Sequence, residues 1–466
     1  MTFREAGRTC LLSKRWRDLW RKAMRTMPDL FLDDVKVMEG DYTHENVRLK
    51  SRMTLPEKKI LHNQRVEFSR LVEQILRSHQ TLTLNSFRLR FHLDVEFSVE
   101  IDRWIQIAIA KRAKKLDINL SEFRDYRYLN PCVEDLYTFP HGIFSTETTP
   151  FVKYLSLNNC ICAPPHDFSG FRILIELRLE TVYISDKDIE HILLNSSYLE
   201  RLSIINCWNL DNLKIVGANL VLKYLRIAEC YSLLRIEIDA AKLTTFQFYG
   251  IPVGLSFRNV PQLVDVAIYT VQQNIVAGIS YALGTLSTDL PQIESLLLHS
   301  ETIEKSMVPA RLPAFSNLKQ LSLMVSWVKG SLFGFFTILQ GAPHLERFEL
   351  HLPFEVRKRK VKKVRKPCIT PLVHLKEVVF SGLIGNQDEV DFAMHLISHA
   401  EGIKTVAILS ADRSYHYDTG VHVCDDGILG GYSDSIDTPA NRRYVAGFVG
   451  EQVQNVIPPG AKLIIK

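Results

Sequence analysis

At 466 residues the chain is longer than one hydrophobic core usually grows, so it holds either two or three domains or one repeat architecture. A hydrophobic share of 46% is that of a folded protein, while no window approaches the ~20 apolar residues of a membrane span. The formal charge of +5 is concentrated in RKRKVKKVRK, Arg357 to Lys366, and the near-neutral remainder excludes the basic face of a nucleic-acid reader.

The N-terminal stretch CLLSKRWRDLW runs from Cys10 to Trp20. At 100° per residue Leu12, Trp16, Leu19 and Trp20 share one side of a helix, with Arg17, Asp18 and Arg21 opposite. Ser13 suits an N-cap and Pro28 a stop. So short a helix is marginal alone, and its tryptophan face must bury against a helical module, a partner protein or the first turn of a repeat array. The sequence opening MTFREAGRTCLLSKRW does not read as a signal peptide, and the expectation is a soluble protein of the cytoplasm and/or nucleus. Residues 39–83 are charged and helix-prone around EFSRLVEQILRS, which reads as a helical linker.

From residue 84 to 356 the dominant signal is self-similarity. FVKYLSL, LIELRLE, YLERLSI, VLKYLRI, QIESLLL, NLKQLSL and HLERFEL repeat an L-x-x-L-x-L frame. Equivalent positions from Leu155 to Val266 recur every 20–25 residues and those from Leu296 to Val406 every 25–30, the spacing of leucine-rich repeats. In L-x-L the two leucines point to one face of a short strand and the middle residue to the other. The pattern therefore predicts an α/β leucine-rich-repeat solenoid, horseshoe-like, with short parallel strands on a concave face and helices or β-segments on the convex face. LDNLKIV, SLLRIEI and VGLSF fall between the main strands from Leu202 to Val266 and predict β-structure without helices on that convex side. SDKDIEHILLNS predicts a convex helix capped by Ser185.

On the concave face Tyr154, Arg178, Arg201, Tyr224 and Arg226 should point outward from neighbouring strands. Tyr and Arg dominate interface hot spots, which makes these five the candidate partner-binding residues, although any such face must expose residues of some kind. The basic insertion, 357–373, admits three readings: a nuclear-import run carried by Arg357, Lys358, Arg359, Lys360, Lys362 and Lys363, a solvated loop, or a nucleic-acid contact. It lacks interleaved aromatics, so nucleic acid is the least favoured partner.

No metal site is expected. Cys160, Cys162 and His166 do not make the four ligands of structural zinc, and Cys160 sits at the repeat position of Cys207 and Cys230. His395 and His399 lack the intervening glutamate of a hydrolytic zinc site. HYDTGVHVCDD, from His416, mixes ligand types without a recognised spacing. Phosphate-loop, dinucleotide and nucleophile-elbow motifs are absent, so no catalytic residue and no cofactor is assigned. After residue 412 the repeat fades, and 413–466 reads as a loop followed by a capping helix and strand.

Three motifs together resemble the plant F-box/leucine-rich-repeat/FBD family. GRTCLLSKRWRDLW is similar to the last third of an F-box; SLNNC, SIINC and RIAEC resemble its cysteine-marked repeats; HLKEVVFSGLIGNQDEVDFAMHLISHAEGIKTVAIL, within the terminal repeats 374–412, resembles the FBD segment. The resemblance implies a non-catalytic substrate receptor of a Skp–cullin–F-box ubiquitin ligase. It would contact the Skp-type adaptor through Leu12, Trp16, Leu19 and Trp20 and hold a target protein on the repeats. The opening L-P-x-x-[IL]-L helix of an F-box is not found, so residues 1–38 read as a partial F-box. The competing expectation is a repeat scaffold that binds partners without engaging the ligase.

Overall fold

Each L-x-L frame becomes a short strand because its two apolar side chains have one buried face to share, and stacking the next repeat supplies the other half of that core. The computed structural model describes residues 26–33, 55–121, 132–144, 151–217, 219–270, 278–304, 314–329, 331–352, 367–410 and 439–466. The chain divides into two units, Met1–Ala240 and Ala241–Lys466.

Unit 1 contains β1 (Asp29–Asp33), β2 (Ser86–Arg90), β3 (Lys115–Asn119), β4 (Tyr137–Thr138), β5 (Tyr154–Asn158) and β6 (Cys160–Ile161). It continues with β7 (Glu176–Glu180), β8 (Arg201–Ile205), β9 (Asn212–Val216), β10 (Tyr224–Ala228) and β11 (Arg235–Asp239). The main strands lie parallel in the order β1-β2-β3-β5-β7-β8-β10. Leu30, Phe87, Leu116, Leu155, Leu177, Leu202 and Leu225 are partners in one continuous register. All are buried, so the leucine spacing in the sequence is the register of the sheet.

The helices α1 (Leu55–Ser78), α2 (Ser98–Ala110) and α3 (Asp186–Asn195) occupy the connections after β1, β2 and β7. Where the connections are shortest no helix fits, and β9 and β11 pair in parallel instead. α3 begins with a complete capping box: the Ser185 hydroxyl accepts the Asp188 N–H, and the Asp188 carboxylate accepts the Ser185 N–H.

The residue after each of β5, β7, β8 and β10 turns through positive φ, at 59° for Asn159, 55° for Thr181, 48° for Asn206 and 58° for Glu229. The N–H groups of Asn159, Thr181 and Asn206 thereby reach the neighbouring repeat's carbonyl and extend the ladder by one rung. The following residue, Cys160, Val182, Cys207 or Cys230, drops into the core. A small apolar side chain fits there, which is why the cysteines recur at repeat spacing.

Unit 2 contains β12 (Thr245–Gly250), β13 (Gly254–Arg258), β14 (Asp265–Thr270), β15 (Ser295–Glu304), β16 (Gln320–Lys329), β17 (Arg347–His351), β18 (Glu377–Ser381), β19 (Thr405–Leu409) and β20 (Lys462–Ile465). From β12 through β20, omitting β13, consecutive strands are parallel neighbours. Phe246, Val266, Leu296, Leu321, Phe348, Val378, Val406 and Leu463 hold the register. The longer spacing admits α4 (Gly278–Asp289), α5 (Phe336–Gln340), α6 (Gln387–Ser398) and α7 (Pro439–Gln454). Gly382, at φ 71°, turns the chain after β18 where any Cβ would run into the Leu352 carbonyl.

The repeats begin earlier than residue 84. Met27, Leu30 and Leu32 already satisfy the frame, and β1 pairs with β2 in full register. The long interval before β2 hides this spacing. That interval contains α1, which buries Phe68, Val72 and Leu76, so it belongs to the first repeat and is not a bare linker.

Candidate interaction face

With the leucines turned inward, positions one, three and five of the main-sheet strands form the other, open face. In unit 1 the parallel register arranges them in three rows. The first row reads Asp29, Ser86, Lys115, Tyr154, Glu176, Arg201, Tyr224; the second reads Phe31, Arg88, Asp117, Ser156, Arg178, Ser203, Arg226. The third runs through Asn158, Glu180 and Ile205.

Most charges on this face are answered within it. Asp117 accepts from Arg88 Nε at 2.8 Å and from Arg90 at 3.1 Å, and the Arg88 guanidinium also lies 4.9 Å from the centre of the Phe31 ring. Arg178 donates through two nitrogens to Glu180, at 3.1 and 2.7 Å. Arg201 lies 4.1 Å over the Tyr224 ring and 3.8 Å from Glu176.

Of the five residues expected on this face, Tyr154 is 38% exposed and Arg201 is also exposed, whereas Arg178 and Tyr224 are half-buried. Arg226 departs from the expectation of an outward side chain: only 7% of it is exposed. Alternation places it on the open side of the strand, yet the neighbouring side chains cover it. Its Nε has no hydrogen-bond partner among the described residues. Burial pushes its guanidinium below the ordinary arginine value, with Tyr224, Glu180 and Glu229 acting the other way and Arg178 adding to the fall.

The open face of unit 2 bears a cleft of about 300 Å³ lined by Gln247, Asp265, Tyr269, Leu297, Ser322 and Arg347, among others. Burial pushes the Asp265 carboxyl up, opposed by a hydrogen bond from Ser295. At the end of the cleft Arg347 donates to Glu349 at 2.7 Å and to Glu377 at 2.6 Å. His351 stands 3.2 Å from Glu349 and 2.7 Å from Ser381. Burial alone would raise the Glu349 carboxyl, but hydrogen bonds from His351 and Arg347 hold it at about 2. Arg347, Glu349 and His351 alternate along one strand, while Glu377 and Ser381, 30 residues further on, are brought to them by the register.

Cys160, Cys162, Cys207, Cys230 and His141 pack as core. Cys160 and Cys162 are buried, with the Cys160 thiol pushed up to about 12 by burial. The imidazole beside Cys162, at 3.5 Å, belongs to His141, while His166 is exposed. Burial among Phe139, Phe144, Phe168 and Phe171 takes His141 down to about 4. The His395 and His399 rings lie 4.4 Å apart, tilted by 56°, and each lies against a backbone carbonyl. Among the described residues no group of three or more such ligands could hold a metal, and no helix is long and apolar enough to cross a membrane.

Leu12, Trp16, Leu19 and Trp20 lie outside the described residues, as do the basic run from Arg357 to Lys363 and the HYDTGVHVCDD segment.

Comparison with known proteins adds a second line of observation. The family model described as At1g61320/AtMIF1, LRR domain, matches residues 75–426. An F-box/LRR-repeat protein of Arabidopsis thaliana, At5g54820, is 24% identical over 446 residues, covering 86% of this chain and 85% of its own length. An F-box/FBD/LRR-repeat protein of the same plant, At4g13965, is 24% identical over 431 residues, covering 86% and 84%. A third, At5g62970, is 26% identical over 206 residues, or 44% of this chain and 42% of its own. A solved internalin from Listeria monocytogenes aligns at 15% identity and a TM-score of 0.25 over 59% of this chain and 78% of that one, too low to bear on the fold. The relatives carry the F-box, leucine-rich-repeat and FBD names that the three sequence motifs implied.

Proposed function

We propose, from the premise that the chain belongs to the At1g61320/AtMIF1 leucine-rich-repeat domain family, that it is a non-catalytic substrate receptor of a Skp–cullin–F-box type ubiquitin ligase. The family and its relatives' names point to protein interaction as the general role. The receptor reading adds that a target protein docks on the open strand face while the N-terminal Leu12, Trp16, Leu19 and Trp20 meet the Skp-type adaptor.

The observation that carries it is the open face of unit 1. Tyr154, Arg201 and Tyr224 belong to one register row, with Arg178 in the next, and these are residue types enriched in interface hot spots. A broad sheet face of alternating aromatic, cationic and hydroxyl side chains suits a protein surface better than it suits a reaction, which needs a dry, convergent pocket. We assign the adaptor contact to the segment ahead of β1 and target recognition to the repeat array that begins there. The basic run at 357–363 is proposed as a nuclear-import signal, which would serve targets in the nucleus as well as the cytoplasm.

The test is capture of a purified Skp-type adaptor by the full chain. Retention of the adaptor, lost when Trp16 and Trp20 are both replaced by Ala, is the expected result. Failure of the unaltered chain to retain it removes the ligase and leaves a repeat scaffold that binds partners by the same face.

A further inference from the structure

Among the described residues, Arg226 is the one arginine on the open face of unit 1 that is buried, and the fold supplies no acceptor to its Nε. A guanidinium taken out of water costs free energy that a carboxylate partner or a set of accepting oxygens normally offsets. Arg88 has Asp117, and Arg178 has Glu180. Arg226 is as buried as a core residue, and its Nε meets no acceptor among the described residues.

We propose that the Arg178–Ser203–Arg226 row of this face seats an acidic peptide segment of the bound protein, one carboxylate of which completes the Arg226 guanidinium. This rests on the receptor reading given above and names the chemistry of its target. A carboxylate matches the planar fork of an arginine and accepts through two parallel hydrogen bonds. Ser203, the partner of Arg226 in the register, brings a hydroxyl to the same row. Tyr224, two residues back along the strand and on the same face, supplies an apolar wall whose ring is already covered on one side by Arg201.

A second incomplete group lies on the same face. The Asn158 Oδ1 is buried and has no donor among the described residues. It belongs to the third strand from β10, roughly 14 Å away at the usual strand spacing. A donor seeking an acid at one end and an acceptor seeking an N–H at the other are what an extended peptide crossing the strands would meet. Glu176 and Glu180 flank the row and disfavour a densely charged nucleic-acid backbone, so the charge balance selects isolated carboxylates.

The experiment uses the full chain and a fluorescein-labelled peptide in which three glutamates are spaced by glycine and serine. Two counterparts carry glutamine or phosphoserine at the same three places. Polarisation should report binding of the glutamate peptide, about tenfold weaker binding of the glutamine peptide, and a loss of about tenfold or more in Arg226→Met, with Arg226→Lys between. Without peptide, Arg226→Met should unfold at a higher temperature than the parent, because an unanswered buried charge has been removed. Equal binding of the glutamate and glutamine peptides overturns the proposal, as does undiminished binding by Arg226→Met. Tighter binding of the phosphoserine peptide overturns it in favour of a phosphorylated target. A lowered unfolding temperature, or a variant that does not fold, overturns it by making Arg226 a structural residue. Adaptor capture run on the same samples separates the two readings: it should be unaffected by Arg226→Met, and its absence with peptide binding intact defeats only the ligase assignment.

Discussion

Arg226 of unit 1 and Arg347 of unit 2 both stand on the open face of repeats built to the same rule, at the third and first positions of their strands, and they have opposite surroundings. Arg347 is held by Glu349 and Glu377, and Glu349 is held in turn by His351, so every charge in the group is answered inside the fold. Arg226 is buried with Glu180 and Glu229 acting on it only through space and with no acceptor at its Nε among the described residues. Repetition fixes the strands and the buried leucines but leaves the open-face positions free to vary. A closed network there stiffens the array, whereas an open one stores recognition.

The largest expected effect breaks the closed network. Glu349→Ala leaves Arg347 with one of its two carboxylates and takes the carboxylate away from His351, and should destabilise the strands around β17 by about 3–5 kcal/mol. Native-state hydrogen exchange on β16, β17 and β18 is the measurement, since a chain of two units has no single unfolding free energy. A loss near zero would mean that the network adds nothing to the fold. The contrast with Arg226, where removal of the charge should stabilise, would then lose its basis.

Acid should divide the two units. The Glu349 pKa is held down at about 2, below the ordinary 4.5, so its contribution is complete above about pH 4.5 and is lost as pH falls through 2. Its magnitude is ~3 kcal/mol. In unit 1 the neutral form of His141 is favoured by burial, with the folded value near 4 against an ordinary 6.5. That contribution is complete above about pH 6.5 and is lost as pH falls through 4, again by ~3 kcal/mol. Between pH 6.5 and 4.5 the repeat around His141 should therefore weaken while the network around Glu349 holds. Exchange rates on β5 and β7 that do not rise over this interval, or that rise equally in His141→Phe, would contradict it.

Much of this arrangement was legible in the residues. The leucine-type positions counted along the chain became register partners one for one, and the frames between Leu202 and Val266 became strands. Alternation also sorted Tyr154, Arg178 and Arg201 onto the open face. It could not report that Arg226 would be covered, because burial there depends on the bulk of neighbours that are distant in sequence. The same limit hid the partnership of His141 with Cys162, 21 residues apart, in place of nearby His166. The first repeat escaped because its two strands flank a helix of 24 residues, which stretches the period beyond recognition.

Helix caps give the smallest and most local version of the contrast. At the start of α6 the buried Glu389 carboxylate accepts the N–H groups of Ile384 and Gly385 at 2.8 and 3.0 Å and the Asn386 amide at 2.8 Å. Glu389→Ala would leave all three donors unanswered and should cost about 2 kcal/mol. At the start of α3 the Ser185 hydroxyl answers one N–H beside solvent, and Ser185→Ala should cost about 1 kcal/mol. Water can replace a lost acceptor at Ser185 and reaches the interior of the Glu389 cap less readily, so the ratio of the two losses measures the difference in access. Equal losses in exchange at the two helix starts would show that the cap in unit 2 is as wet as the one in unit 1, and that closure on that side stops at the strand face.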